Sequence, residues 1–89
     1  MKEHEWHVAS LVVHCRPELR LAVINAIEQL TGAEVPVSSE QGKLVVSLEG
    51  PGQQHIVEHI DSIALMDGIL STTLIYHEFA ELESGKEPA

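Results

Sequence analysis

His55, Glu58 and His59 fall in the run HIVEH, which matches the H-x-x-E-H pattern of a class of zinc peptidases. Two histidines four residues apart share one helical face and can chelate a divalent metal. Such an enzyme also needs a third ligand, a substrate cleft and far more chain than 89 residues. We therefore read these three side chains as the solvated side of a helix, opposite its apolar stripe. The chain has six histidines, and pairing of its first and last strands would bring His7 near His77, with His4 and Glu78 beside them. That cluster suits adventitious zinc or nickel better than a resident metal, and neither a metal nor a cofactor is expected.

The remaining reactive side chains assemble no catalytic constellation. Cys15 is the single cysteine, which excludes a CxxC metal or redox motif and any internal disulfide. It stands at a strand-to-helix junction without an activating partner in sequence, so packing is its expected role. Arg16 and Arg20 are the only arginines and open a helix, where pairing with Glu18 or Glu28 accounts for them. A Gly-rich phosphate loop and a GxSxG elbow are both missing from the sequence. No enzyme is expected.

Five Lys+Arg stand against fourteen Asp+Glu, a formal net charge of -9, with 44% hydrophobic and 3% aromatic residues. Phosphate neutralisation needs a basic face and base stacking needs aromatics, so nucleic acid is a poor partner and a basic one a good match. A chain this short buries roughly 60 to 70% of the surface its unfolded form exposes, enough for one thin core. The first five residues net -1, residues 78–89 net -3, and residues 6–77 hold the other -5. No export signal is read at the start and no run approaches the roughly 20 apolar residues of a membrane span. A cytoplasmic location is expected, in keeping with the lone thiol.

Residues 6–14, WHVASLVVH, are β-branched and read as a strand. Pro17 suits the first turn of a helix, whose Leu19, Val23, Ala26, Ile27 and Leu30 share one face. Gly32 ends it. AEVPVS and KLVVSLE are two strands joined by SSEQG, with Gly42 in the turn. After Gly50-Pro51-Gly52, Ile56, Ile60, Ile63 and Ala64 recur at helical spacing, with Val57 widening the stripe. Asp67 and Gly68 precede a last strand, residues 69–77. The order βαββαβ predicts an α+β, ferredoxin-like fold: a four-stranded antiparallel sheet with two helices on one face and the opposite face open. We expect an N-terminal extension at residues 1–5, one domain over 6–78 and an acidic, mobile tail at 79–89.

In this topology the second and fourth strands are edges. Pro36 fits an edge and blunts it, leaving the outer edge of the fourth strand as the better template for a peptide strand. Alternation places Ala9, Leu11, Val13, Leu44, Val46 and Leu48 in the core, with Leu70, Thr72, Leu74 and Tyr76 from the last strand. It leaves Val8, Ser10, Val12, Val45, Ser47, Ser71, Thr73 and Ile75 on the open face. Aliphatics gathered in one patch with small hydroxyls mark an interaction site, an ordinary sheet face of high β-propensity or the seam of a weak homodimer. A small regulatory or assembly module that dimerises or binds a small ligand through this face is the alternative from another functional class.

The stretches Trp6-His7-Val8-Ala9-Ser10-Leu11-Val12-Val13, Gly32-Ala33-Glu34-Val35, Gly42-Lys43-Leu44-Val45-Val46 and Leu74-Ile75-Tyr76-His77 resemble the NapD family in their order and spacing. The resemblance runs from Trp6 to about Glu78. It implies a cytoplasmic chaperone for the catalytic subunit of the periplasmic nitrate reductase, a molybdenum enzyme exported folded by the twin-arginine route. Such a protein binds the enzyme's twin-arginine signal peptide and holds back export until the cofactor is loaded. That peptide has a basic region followed by an apolar segment. The open-face residues would take the apolar segment, as a strand along residues 69–77 or as a helix across the face. Glu34, Glu49 and Glu78 are the candidates for pairing its arginines. The implied protein is a monomer or weak homodimer and does not insert into membranes.

Overall fold

The computed structural model describes residues 5–81, with the side chains of residues 5, 76 and 78–81 outside that description. Of the extension expected at residues 1–5 and the tail expected at 79–89, residues 1–4 and 82–89 lie outside the described residues. The elements follow in the order β1 (Glu5–Cys15), a 3-10 turn (Pro17–Leu19), α1 (Arg20–Glu28), β2 (Ala33–Ser38), β3 (Lys43–Gly50), α2 (Gln53–Ala64) and β4 (Ile69–Glu81). The four strands form one antiparallel sheet in the order β2-β3-β1-β4. This is the ferredoxin-like α+β arrangement that the order of elements predicts, with β2 and β4 at the edges. β4 continues three residues beyond Glu78.

β1 and β3 pair without interruption from His7 opposite Gly50 to His14 opposite Lys43. Strict alternation along both strands turns Ala9, Leu11, Val13, Leu44, Val46 and Leu48 to one side. There they are fully buried with Val23 and Ile27 of α1 and Ile56 and Ile63 of α2. Both helices thus cover a single face. Each fully buried Val, Leu or Ile side chain contributes about 1.5 to 3 kcal/mol, which makes these central strands the anchor for everything that projects from their other side. Pro17 begins the 3-10 turn leading into α1, where its missing N–H costs no hydrogen bond. Gly42 has φ 96° and accepts from the Cys15 N–H at 2.8 Å. A Cβ at Gly42 would run into the Cys15 carbonyl oxygen, so the β2–β3 turn requires glycine there.

The last strand departs from simple alternation. Ser10 pairs with Tyr76 but Leu11 with Leu74, so Ile75 is an extra residue; His14 pairs with Ser71 but Cys15 with Ile69, so Leu70 is another. These are β-bulges, and each resets which side the following residues face. Leu70, expected in the core, is 64% exposed, while Ile69 packs against the core in its place. Leu74 stands opposite Leu11 yet is 50% exposed on the edge strand of the sheet. The backbone of Tyr76 pairs with Ser10 instead of a core residue, so the inward position expected for it does not follow from the register. In β2 the register likewise shifts between Glu34 and Val37, placing Pro36 at an irregularity of an edge strand.

α2 buries a narrower stripe than its sequence suggests. Ile56 and Ile63 are buried and Ile60 half-buried, whereas Val57 and Ala64 are exposed. At about 100° per residue, Val57 and Ala64 lie about 100° and 80° around the helix from Ile56, beyond the contact with the sheet.

Candidate functional site

The face of the sheet away from the helices is built in rungs, because residues paired across antiparallel strands point to the same side. Glu49 is opposite Val8, whose other neighbour is the backbone of Glu78. In the next rung Glu34, Ser47, Ser10 and the backbone of Tyr76 succeed one another, and then Val37, Val45, Val12 and Thr73. Lys43, His14 and Ser71 form the last. Rungs two residues apart are separated by roughly 7 Å, so Glu49 and Lys43 mark the ends of a surface about 20 Å long.

Of the residues expected on this face, Val8, Ser10, Val12, Val45 and Ser47 are half-buried, and Ser71 and Thr73 are exposed. All seven come together. Ile75 does not join them in register: it is the extra residue of a bulge, 61% exposed and without a partner on β1. Glu34 and Glu49 occupy the same end of the face as diagonal neighbours, since Glu34 pairs with Ser47, two residues before Glu49. Diagonal neighbours of this kind are about 7 to 8 Å apart. Neither carboxylate forms an ion pair among the described residues. The backbone of Glu78 pairs opposite Val8, and its side chain is outside the described residues.

Trp6 and Val37 also join this surface, outside the set expected from the sequence. Trp6 continues the alternation of Val8, Ser10 and Val12, and its indole Nε1–H donates to Glu49 Oε1 at 2.9 Å. The signal for it was parity, one step before the strand's aliphatic run. Val37 lies opposite Val45 and is largely exposed, but the irregularity at Val35 and Pro36 hides its parity in the sequence.

The other candidate chemistry resolves into structural contacts. The His55 and His59 rings pack with their planes tilted by 42° and centroids 4.4 Å apart, and His59 Nε2 lies 2.9 Å from the Thr31 carbonyl oxygen. The His55 ring stands over Gly50, in the space a Cβ there would occupy. Both rings are half-buried beside the apolar stripe, which corrects the expectation that they point to solvent on the opposite side. Glu58 accepts instead from the Gln54 side-chain amide at 3.1 Å. His7, 3% exposed, has Nδ1 2.9 Å from His77 Nε2, the proximity the strand pairing predicts; His4 is outside the described residues. Among the described residues no three His, Cys, Asp or Glu side chains gather as metal ligands.

Cys15 is buried in the core, and that burial pushes its thiol above the usual range, with nearby Arg20 opposing the effect and Glu18 adding to it. Arg16 pairs with Glu18 at 3.2 Å, as the sequence suggests. The Glu18 carboxyl is held below its ordinary range by its own backbone N–H and then by Arg16. Arg20 reaches the Ser38 hydroxyl at 3.4 Å. No helix among the described residues is long and apolar enough to cross a membrane.

Residues 6–81 match the NapD protein family. The chain is 32% identical over 75 residues to Chaperone NapD of Haemophilus influenzae, covering 83% of this chain and 81% of that protein. It is 31% identical over 83 residues to Chaperone NapD of Escherichia coli K12, covering 92% and 93%. Among solved structures, the solution structure of the E. coli Tat proofreading chaperone protein NapD superimposes with a TM-score of 0.76 at 28% identity, over 94% of this chain and 90% of that one. These relatives carry the name of chaperones and not of enzymes.

Proposed function

This chain belongs to the NapD family, and we propose that it binds the twin-arginine signal peptide of the catalytic subunit of the periplasmic nitrate reductase. In this reading it acts in the cytoplasm and delays export until the molybdenum cofactor is in place. The observation that carries the proposal is the composition of the open face. Half-buried valines and serines form a continuous surface for an apolar segment, and Glu34 and Glu49 stand at its edge without an ion pair among the described residues. A signal with arginines ahead of an apolar stretch is complementary to both parts. A Tat proofreading chaperone of the same fold supports the assignment.

Binding by the face is favoured over strand addition at β4, because the two bulges interrupt the regular edge such a strand would need. The decisive experiment titrates a synthetic signal peptide of the reductase into the protein by calorimetry, alongside a peptide with both arginines changed to glutamine. A charge-assisted hydrogen bond contributes about 1.5 to 3 kcal/mol before screening, so the glutamine peptide is expected to bind at least about tenfold more weakly. No binding of the native peptide would overturn the reading.

A further inference from the structure

The open face is polarised along its strands. At one end Glu34 and Glu49 stand without a described cation, and Trp6 holds one oxygen of Glu49, fixing the carboxylate while its other oxygen has no partner among the described residues. At the other end are Lys43 and His14, whose Nδ1 lies 3.3 Å from the Ser71 hydroxyl. All three cations among the described residues, Arg16, Arg20 and Lys43, lie at this second end, just after β1 or at the start of β3. They offset Glu18, Glu40 and Asp67 in the turns there. One end of the surface is therefore acidic and the other close to neutral, with Val8, Val12, Val37 and Val45 between.

From this arrangement, and resting on the function proposed above, we infer that the bound segment has one fixed direction. Its arginines lie over Trp6, Glu49 and Glu34, and its apolar part runs across the valines toward Lys43 and His14. The arginines precede the apolar part, so the segment travels in the same direction as β1 and opposite to β3. The reverse placement puts a guanidinium pair beside Lys43 and leaves both carboxylates uncompensated, losing the charge-assisted bonds and adding like-charge repulsion. A helical segment in the inferred direction also sets the positive end of its dipole over the carboxylates. The indole of Trp6 offers a guanidinium a flat face beside the carboxylate it must reach, a second attraction at the same end.

The test places a nitroxide label on a synthetic twin-arginine signal peptide, either just before the arginines or just after the apolar segment, and reads broadening of the protein's backbone amide signals. The first label is expected to erase Val8, Glu34 and Glu49, and the second His14, Lys43 and Ser71. The opposite pattern, or equal broadening of both ends by each label, would overturn the direction while leaving signal-peptide binding intact. Failure of the unlabelled peptide to bind in calorimetry would remove the function, and the direction with it. As an independent arm, Glu49→Lys should weaken the native peptide at least tenfold and be partly restored by a peptide with Glu for Arg, whereas Lys43→Glu should change affinity by less than twofold. A larger effect at Lys43 than at Glu49 would overturn the direction.

Discussion

The indole Nε1–H of Trp6 donates to Oε1 of Glu49 at 2.9 Å, joining the start of β1 to the end of β3 across 43 positions of sequence. The bond fixes a carboxylate that a flexible, exposed side chain would otherwise leave to solvent. Trp6→Phe keeps most of the ring and removes the donor. We expect signal-peptide affinity to fall about three- to tenfold, the worth of one net hydrogen bond, with the far-ultraviolet dichroism unchanged. Calorimetry on the two proteins measures it, and equal affinities would separate Trp6 from the site.

Ser47 and Thr73 lie in adjacent rungs, Ser47 beside Glu34 and Ser10, Thr73 beside Val12. Ser47→Arg and Thr73→Arg each put a long cation on the path of a cationic, apolar segment. Binding should weaken by at least about tenfold, and the urea midpoint should stay near that of the parent because neither side chain is in the core. Unaltered affinity in both variants would move the site off this face.

The bulges in β4 make a contrast in stability. Ile75→Ser is expected to change unfolding free energy by no more than about 0.5 kcal/mol, as for a surface position. Leu48→Ala should cost about 2 to 5 kcal/mol, because Leu48 is fully enclosed. Urea unfolding of the two variants compares them directly.

This contrast also shows what the sequence conceals. β1 and β3 were legible because each is buried on one side over its length, so alternation reports their faces, and five of the open-face positions follow from it at once. β4 was not, since Leu70 and Ile75 are ordinary aliphatics whose displacement depends on pairing with β1, a partner more than fifty residues away. Val57 and Ala64 were assigned to the buried stripe for a related reason: apolar spacing gives an angle around the helix, but the width of the contact is set by the sheet. The end-to-end charge difference was available in the residue types, yet it became visible only when the register placed Glu34 beside Ser47.

Cys15 supplies a pH test. Burial holds its thiol above its ordinary 9.0 in the folded chain, so between those two values the unfolded chain has released a proton that the folded chain retains. Unfolding then releases a proton, and the stability contributed by this group is complete below about pH 9 and lost as pH rises further. The urea midpoint should fall more steeply above pH 9 in the parent than in Cys15→Ala. A thiol reagent at pH 8 should also modify the folded protein far more slowly than a free thiol. Equal steepness and rapid labelling would show that the core admits solvent at this point.

Both outer borders of the sheet are broken, one by the irregularity at Val35 and Pro36 and the other by Leu70 and Ile75. Cross-β growth requires a long, flat row of unpaired backbone groups onto which identical strands can add without limit. Here each row is interrupted, so a sheet rich in β-branched residues is kept from templating its own polymer. The same residues that defeat a simple reading of β4 thus act as a guard on colloidal behaviour, allowing a sticky surface to stay uncovered on one side without the molecule propagating through its edges.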